Sequence, residues 1–232
     1  MNQQVNRKIS WILIALATAS ALCVALSIVR IFYSARLTHA YLVWNLFLAW
    51  MPTGFALLAW KYKESKIKLL SFSAAWLLFL PNAPYLVTDL IHLRERPPVP
   101  FWFDAVLFQS FICVGLLLTF LSLYWMQNLV THLYNRPISW IFILAVIGLS
   151  GFGIYLGRVQ RWNSWDILVN PFDLISDIFQ HLLPPRRRTA GLYSILYAGF
   201  LLISYTLFYM LTHLPFRIDS AEKRSALGFE KI

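Results

Sequence analysis

Six apolar stretches alternate with short polar connections along the chain. They run from about Ser10 to Phe32, Tyr41 to Trp60, Leu69 to Ile91, Trp102 to Val130, Ile138 to Gly157 and Thr189 to His213. A hydrocarbon core of roughly 30 Å needs about 20 apolar residues in a helix. The pattern therefore predicts an all-α fold, a polytopic transmembrane helical bundle of about six spans. Arg7-Lys8 ahead of the first stretch resembles the start of a signal peptide, but the apolar run continues from Ile9 to Tyr33. That exceeds the roughly 7–15 residues of a signal-peptide core, so an uncleaved first span is expected.

One connection is long, Arg158 to Arg188. Its middle predicts an amphipathic interfacial helix between spans five and six. Asn170 is a good N-cap and Pro171 suits the first helical position. Phe172, Ile175, Phe179 and Leu182 then recur at helical spacing, with Asp173, Asp177, Gln180 and His181 on the other face. Such a helix could equally be a lid with only a packing role. Pro184-Pro185 ends it before Arg186-Arg187-Arg188. No repeat or low-complexity tract is visible. Residues 1–216 read as a single integral-membrane domain and residues 217–232 as a short charged tail.

Composition agrees with this class. The 232 residues are 59% hydrophobic and only 13% charged, with a mean hydropathy of +0.62, whereas soluble domains are about 25% charged. The net charge of +10 invites a nucleic-acid reading, but Lys and Arg lie in the connections between spans. Those positions carry topology signals and anionic-lipid contacts, so nucleic-acid binding is not expected. Eleven Lys and Arg fall on the N-terminal side against nine opposite. With the dense Lys61–Lys68 connection, this points to a cytoplasmic N-terminus in the bacterial cytoplasmic membrane. Cys23 and Cys113 lie inside apolar spans and read as small core residues.

The unusual polar residues gather at ends joined by the first, third and fifth connections, which alternation puts on one side of the membrane. They are Trp44-Asn45, Pro81-Asn82-Ala83-Pro84-Tyr85 with Thr88-Asp89, Asp104, and Arg158 to Asp166. Each proline removes an amide donor from the third span, so the carbonyls of Leu77 and Leu80 are expected to lose their helix partners. Backbone freed at membrane depth needs protein or a wet cavity to satisfy it.

Asp89 and Asp104 are carboxylates at the membrane boundary, and such residues usually face the bundle interior and have partners. Arg158 and Arg161 are the candidate partners. They share a face if span five stays helical past Gly157. A structural ion-pair network accounts for this placement as well as a site does. Two arginines followed by Asn163, Ser164 and Asp166 suit a phosphate or carboxylate, because guanidinium forks bind both. His39, Asp89, His92 and Asp104 lack metal-site spacing, so no metal or other cofactor is expected. Acid–base chemistry by Asp89 and Asp104 would need the two to converge. Trp162 and Trp165 suit an interfacial belt, and Gly151-Phe152-Gly153 suits close helix packing.

Leu80-Pro81-Asn82-Ala83-Pro84-Tyr85, Thr88-Asp89-Leu90, Trp102-Phe103-Asp104 and Gly153-Ile154-Tyr155-Leu156-Gly157-Arg158 running into Arg161-Trp162-Asn163-Ser164-Trp165-Asp166 resemble a family of bacterial membrane proteins, the domain of unknown function 1361 family. The likeness spans roughly Tyr41 to Pro171. Phe103 stands where the family more often carries Tyr. The resemblance implies fold and topology and brings no activity with it.

The sequence thus leads to a multi-pass membrane protein with a one-sided polar pocket formed by Asn82, Tyr85, Asp89, Asp104, Arg158, Arg161, Asn163 and Asp166. The expected partners are the lipid bilayer and an anionic solute or lipid headgroup, bound or transported. Two other readings stay open: a membrane-embedded enzyme acting on a lipid-linked or phosphorylated substrate through Asp89 or Asp104, and a non-catalytic assembly partner. Oligomeric state is left open.

Overall fold

A computed structural model of the protein describes residues 3–184 and 187–214. The expected charged tail at residues 217–232 and Arg186 lie outside the described residues. In chain order the helices are α1 (Gln3–Ser34), α2 (Tyr41–Lys61), α3 (Lys66–Phe79), α4 (Asn82–Thr88) running into a 3-10 turn (Asp89–His92), α5 (Phe101–Leu133), α6 (Arg136–Val159), α7 (Asp166–Val169), α8 (Pro171–Leu182) and α9 (Arg187–Thr212). The helical segments Arg7–Ser34, Tyr41–Lys61, Lys66–His92, Phe101–Leu133, Arg136–Val159 and Arg187–Thr212 are long and apolar enough to cross a membrane. The chain is a multi-pass, all-α membrane protein.

Helix α5 is the axis of the bundle and packs against α1, α2, α4, α6 and α9. Two buried clusters divide its length. Leu107, Phe108, Phe111 and Leu118 meet α1, α2 and α4 through Leu16, Cys23, Leu42, Leu46 and Leu86. Leu123, Met126 and Leu129 meet α6 and α9 through Ile143, Ile147, Leu201 and Tyr205. In the second cluster the Tyr205 hydroxyl donates to Gln127 Oε1 at 2.5 Å, which gives both oxygens a partner inside apolar packing. The outer helices turn large apolar side chains outward, among them Trp11 and Phe32 on α1 and Ile195 and Leu207 on α9. In water these would form a large exposed patch, whereas in lipid they are solvated. Cys23 is buried as expected, while Cys113 is exposed on an outer face.

Glycine sets two of the closest approaches. Gly151 faces the backbone of Ser194 and the methyl of Ala198, which lets α6 and α9 pack tightly. A Cβ at Gly115 would stand 2.9 Å from the carbonyl oxygen of Ala83. The interrupted third span therefore lies directly on α5.

That interruption is gentler than the two prolines predict. Leu80 and Pro81 both keep right-handed helical dihedrals, so the chain slips rather than unwinds. Leu80 O still accepts from Ala83 N at 3.3 Å. The carbonyls taken over by side chains are those of Leu78 and Phe79. Ser164 Oγ donates to Leu78 O at 3.0 Å, and Asn82 Nδ2 donates to Phe79 O at 3.0 Å and to Ser164 Oγ at 2.8 Å. Protein donors seal the break, as backbone at membrane depth requires.

Helix α8 begins at Pro171 as expected, but the Asn170 side chain makes no capping hydrogen bond. Its inward residues are Leu174 and His181, and Phe172, Ile175 and Phe179 are exposed, Phe172 by 85%. The helix thus turns its apolar face away from the bundle instead of laying it over an apolar surface. Leu168 and Val169 on α7 continue the exposed face. Trp162 Nε1 donates to Asp177 Oδ2 at 2.7 Å and ties α8 to the end of α6.

Candidate functional site

Two connections and the helix ends beside them, on one side of the bundle, close around a polar cavity of about 410 Å³. Thr38 and His39 come from the first connection, His92 and Arg96 from the third, and Tyr41, Asn45, Tyr85, Asp89 and Arg158 from the helix ends between them. Backbone geometry fixes several of these. Val99 N donates to Arg96 O at 3.2 Å, closing the turn that presents Arg96. Arg158 sits in the last turn of α6, where the helix dipole favours a cation.

Arg158 organises the cavity wall. Its Nη2 donates to Asp89 Oδ1 at 2.5 Å, its Nε to Thr88 Oγ1 at 2.8 Å, and its Nη1 lies 3.1 Å from His92 Nε2. A guanidinium only donates, so Nε2 is the acceptor nitrogen of His92. The guanidinium carbon stands 4.4 Å from the Tyr85 ring centroid, a cation–π contact. Asp89 also accepts from Asn45 Nδ2 at 2.9 Å, and the Thr88 hydroxyl donates to Tyr85 O at 2.6 Å. Asp89 is buried, and these bonds hold an ionised carboxylate where an unpaired one would be costly.

Asp104 has a different partner from the one the sequence suggested. Arg30 Nε and Nη2 donate to its two carboxylate oxygens at 2.6 and 3.0 Å, and both side chains are almost fully buried. Arg30 is on α1 and Asp104 on α5, so the pair crosslinks the first and fourth spans. His39 Nε2 stands 3.6 Å from Asp104 Oδ2, too long for a hydrogen bond. Burial, and then the Arg30 charge, lower the His39 pKa from 6.5 to about 4. The imidazole is therefore neutral near pH 7. It forms a wall between the cavity and the Arg30–Asp104 pair, and both its ring nitrogens lack a hydrogen-bond partner in the protein. Asp89 and Asp104 thus occupy separate ion pairs, and only Asp89 lines the cavity.

Arg161 does not share a helix face with Arg158. Helix α6 ends at Val159, and Arg161 takes a left-handed conformation with φ of 64°. The reversal lets Trp162 N donate back to Leu156 O at 3.2 Å and leaves Arg161 exposed, outside the cavity lining. Asn163 and Asp166 pair locally: Asp166 Oδ2 accepts from Asn163 N at 2.6 Å and from its Nδ2 at 3.3 Å.

A second, smaller cavity of about 200 Å³ lies beside the first and shares Asn45 and Tyr85 with it. Its other walls include Trp44, Leu78, Pro81, Asn82, Trp162, Asn163, Ser164 and Leu174. Among the described residues, no group of three or more His, Cys, Asp or Glu could hold a metal ion.

Sequence reasoning missed Arg30 and Arg96 and gave His39 only a metal-ligand trial. The signal for Arg30 was available: it interrupts the apolar run from Ile9 to Tyr33, and a charge in a span calls for a buried partner. Arg96 offered no comparable signal in its charged turn.

The model of a family described as "Protein of unknown function (DUF1361)" matches residues 44–205, well over half of the chain. No curated protein and no solved structure matches it.

Proposed function

The chain belongs to the domain of unknown function 1361 family, and from that premise we propose that it binds an anionic group, of a small solute or a lipid headgroup, in the polar cavity, as a binding or transport component of the membrane. The observation that carries this reading is the lining charge. Two guanidiniums, Arg96 and Arg158, face the cavity against one carboxylate, Asp89, and Asp89 is already neutralised by Arg158. Arg96 is exposed with no ion-pair partner among the described residues, so its fork is free for a phosphate or carboxylate.

The same geometry favours binding over acid–base catalysis by two carboxylates, because Asp104 is held by Arg30 away from the lining. We also propose the bacterial cytoplasmic membrane as the location, with the N-terminus inside and the cavity opening outward. The dense lysine connection after α2 supports that orientation.

The test is thermal unfolding of the detergent-solubilised protein with inorganic phosphate, small dicarboxylates and phosphatidylglycerol. At least one should raise the Tm of the natural sequence. Arg96→Ala should weaken that ligand about tenfold or more, the worth of a charge-assisted hydrogen bond, without lowering the ligand-free Tm. Failure of every anion to stabilise the protein, or an unchanged affinity in Arg96→Ala, would overturn the reading.

A further inference from the structure

At the opposite end of the bundle the first helix stands away from its neighbours. From Arg7 onward its first buried side chain is Leu16, followed by Cys23, Ser27 and Arg30. Between the turns before Leu16 and the facing ends of α2 and α5 lies a wedge of about 940 Å³. Ile9 and Ile12 on α1, Leu57 and Trp60 on α2, and Tyr124 and Trp125 on α5 line it. Lys8, Lys61 and Lys63 join the same lining, which contains no carboxylate. Glu64, the acidic residue of that connection, is outside it. Lys63 is held in place on two sides: its Nζ lies 2.8 Å from His132 Nε2 and 5.5 Å from the Trp60 ring centroid.

We propose that this wedge is a binding site for an anionic phospholipid, with an acyl chain between α1, α2 and α5 and the phosphate among the three lysines. Shape and charge together select that occupant. An apolar, aromatic slot between spans suits a hydrocarbon chain, and a solute would leave it unfilled. A zwitterionic headgroup brings no net charge to three ammonium groups, whereas an anionic one offsets part of theirs, and basic residues at the membrane boundary attract such lipids. Trp60 and Trp125 suit the boundary between chain and headgroup. The site lies at the other end of the spans from the polar cavity and shares no residue with it.

The experiment is native mass spectrometry of the delipidated full chain with phosphatidylglycerol or phosphatidylcholine. Phosphatidylglycerol should be retained preferentially. Lys61→Gln/Lys63→Gln should reduce that preference by about fivefold for each lysine removed, the effect of one basic residue near an anionic surface. Lys66→Gln/Lys68→Gln removes the same charge from the same connection but outside the lining and should keep the preference, as should Arg96→Ala. Equal retention of the two lipids, or equal loss in both lysine pairs, would overturn the site and leave only a general surface attraction. Loss of the preference in Arg96→Ala would assign it to the polar cavity instead and would also overturn the site.

Discussion

Arg30 and Asp104, 74 residues apart in the chain, meet through two hydrogen bonds that cross from α1 to α5 with almost no exposure to the surroundings. Removing one partner of a buried pair leaves an uncompensated charge, at a cost of about 3–5 kcal/mol. Arg30→Ala and Asp104→Ala should each lower the Tm sharply in detergent. The double variant Arg30→Met/Asp104→Leu should recover much of the loss, since a hydrophobic pair of similar volume often replaces a buried ion pair. Single variants as stable as the natural sequence would mean that the pair does not hold α1 to the bundle.

His39 gives the fold a pH dependence with a definite sign. Its pKa falls from 6.5 to about 4 through burial and the nearby Arg30 and Arg96 charges, with Asp104 pulling the other way. Between those values the unfolded chain binds the proton that the folded chain refuses, so stability rises with pH. The contribution of His39 is fully present above pH 6.5 and is lost as the pH falls toward 4. Replacement His39→Gln should flatten the Tm profile in that window and leave it unchanged above pH 7. A profile of identical slope in both proteins would contradict this assignment.

At Arg161 the left-handed backbone, with φ of 64°, separates backbone from side-chain effects. A side chain in that region costs about 1–2 kcal/mol, which glycine does not suffer. Glycine's looser unfolded chain costs roughly 0.5–1 kcal/mol in return. Arg161→Gly should therefore leave stability unchanged or raise it by up to about 1.5 kcal/mol, while Arg161→Val, β-branched, should destabilise measurably. Equal effects from the two would argue that the backbone relaxes out of the left-handed region.

The sealed break in the third span is testable at Ser164. That hydroxyl donates to Leu78 O and accepts from Asn82 Nδ2. Removing it strands the Leu78 carbonyl, at a cost of about 1–3 kcal/mol, while Asn82 Nδ2 keeps its bond to Phe79 O. Ser164→Ala should speed amide exchange from Asn82 to Tyr85 relative to α5. Unaltered exchange would show that the break does not depend on this donor.

These expectations rest on residues the sequence revealed unevenly. The six spans were legible because hydrophobic length is a local property that needs no partner. So was the one-sidedness of Asn45, Asp89 and Arg158, which alternation alone imposes and which the cavity brings together. Pairing within that side was not legible. Asp104 sits beside Arg30 and not Arg158 because helix packing, which no spacing encodes, brings α1 against α5. Arg161 left the Arg158 face because α6 stops two residues sooner than its motif suggests. The break was visible in Pro81 and Pro84, but its closure by a serine 86 residues away from Leu78 was not.

The Arg30–Asp104 pair also sets an order on biogenesis. Arg30 is synthesised 74 residues before its partner, an interval of about 4–15 s at the usual rate of roughly 5–20 residues per second. For that time the first span holds a guanidinium with no counter-charge and cannot seat its end in hydrocarbon. Asp89 waits in the same way for Arg158, 69 residues later. The cavity walls therefore close late in translation, and a chain arrested before α6 would carry the cavity side of the protein half built.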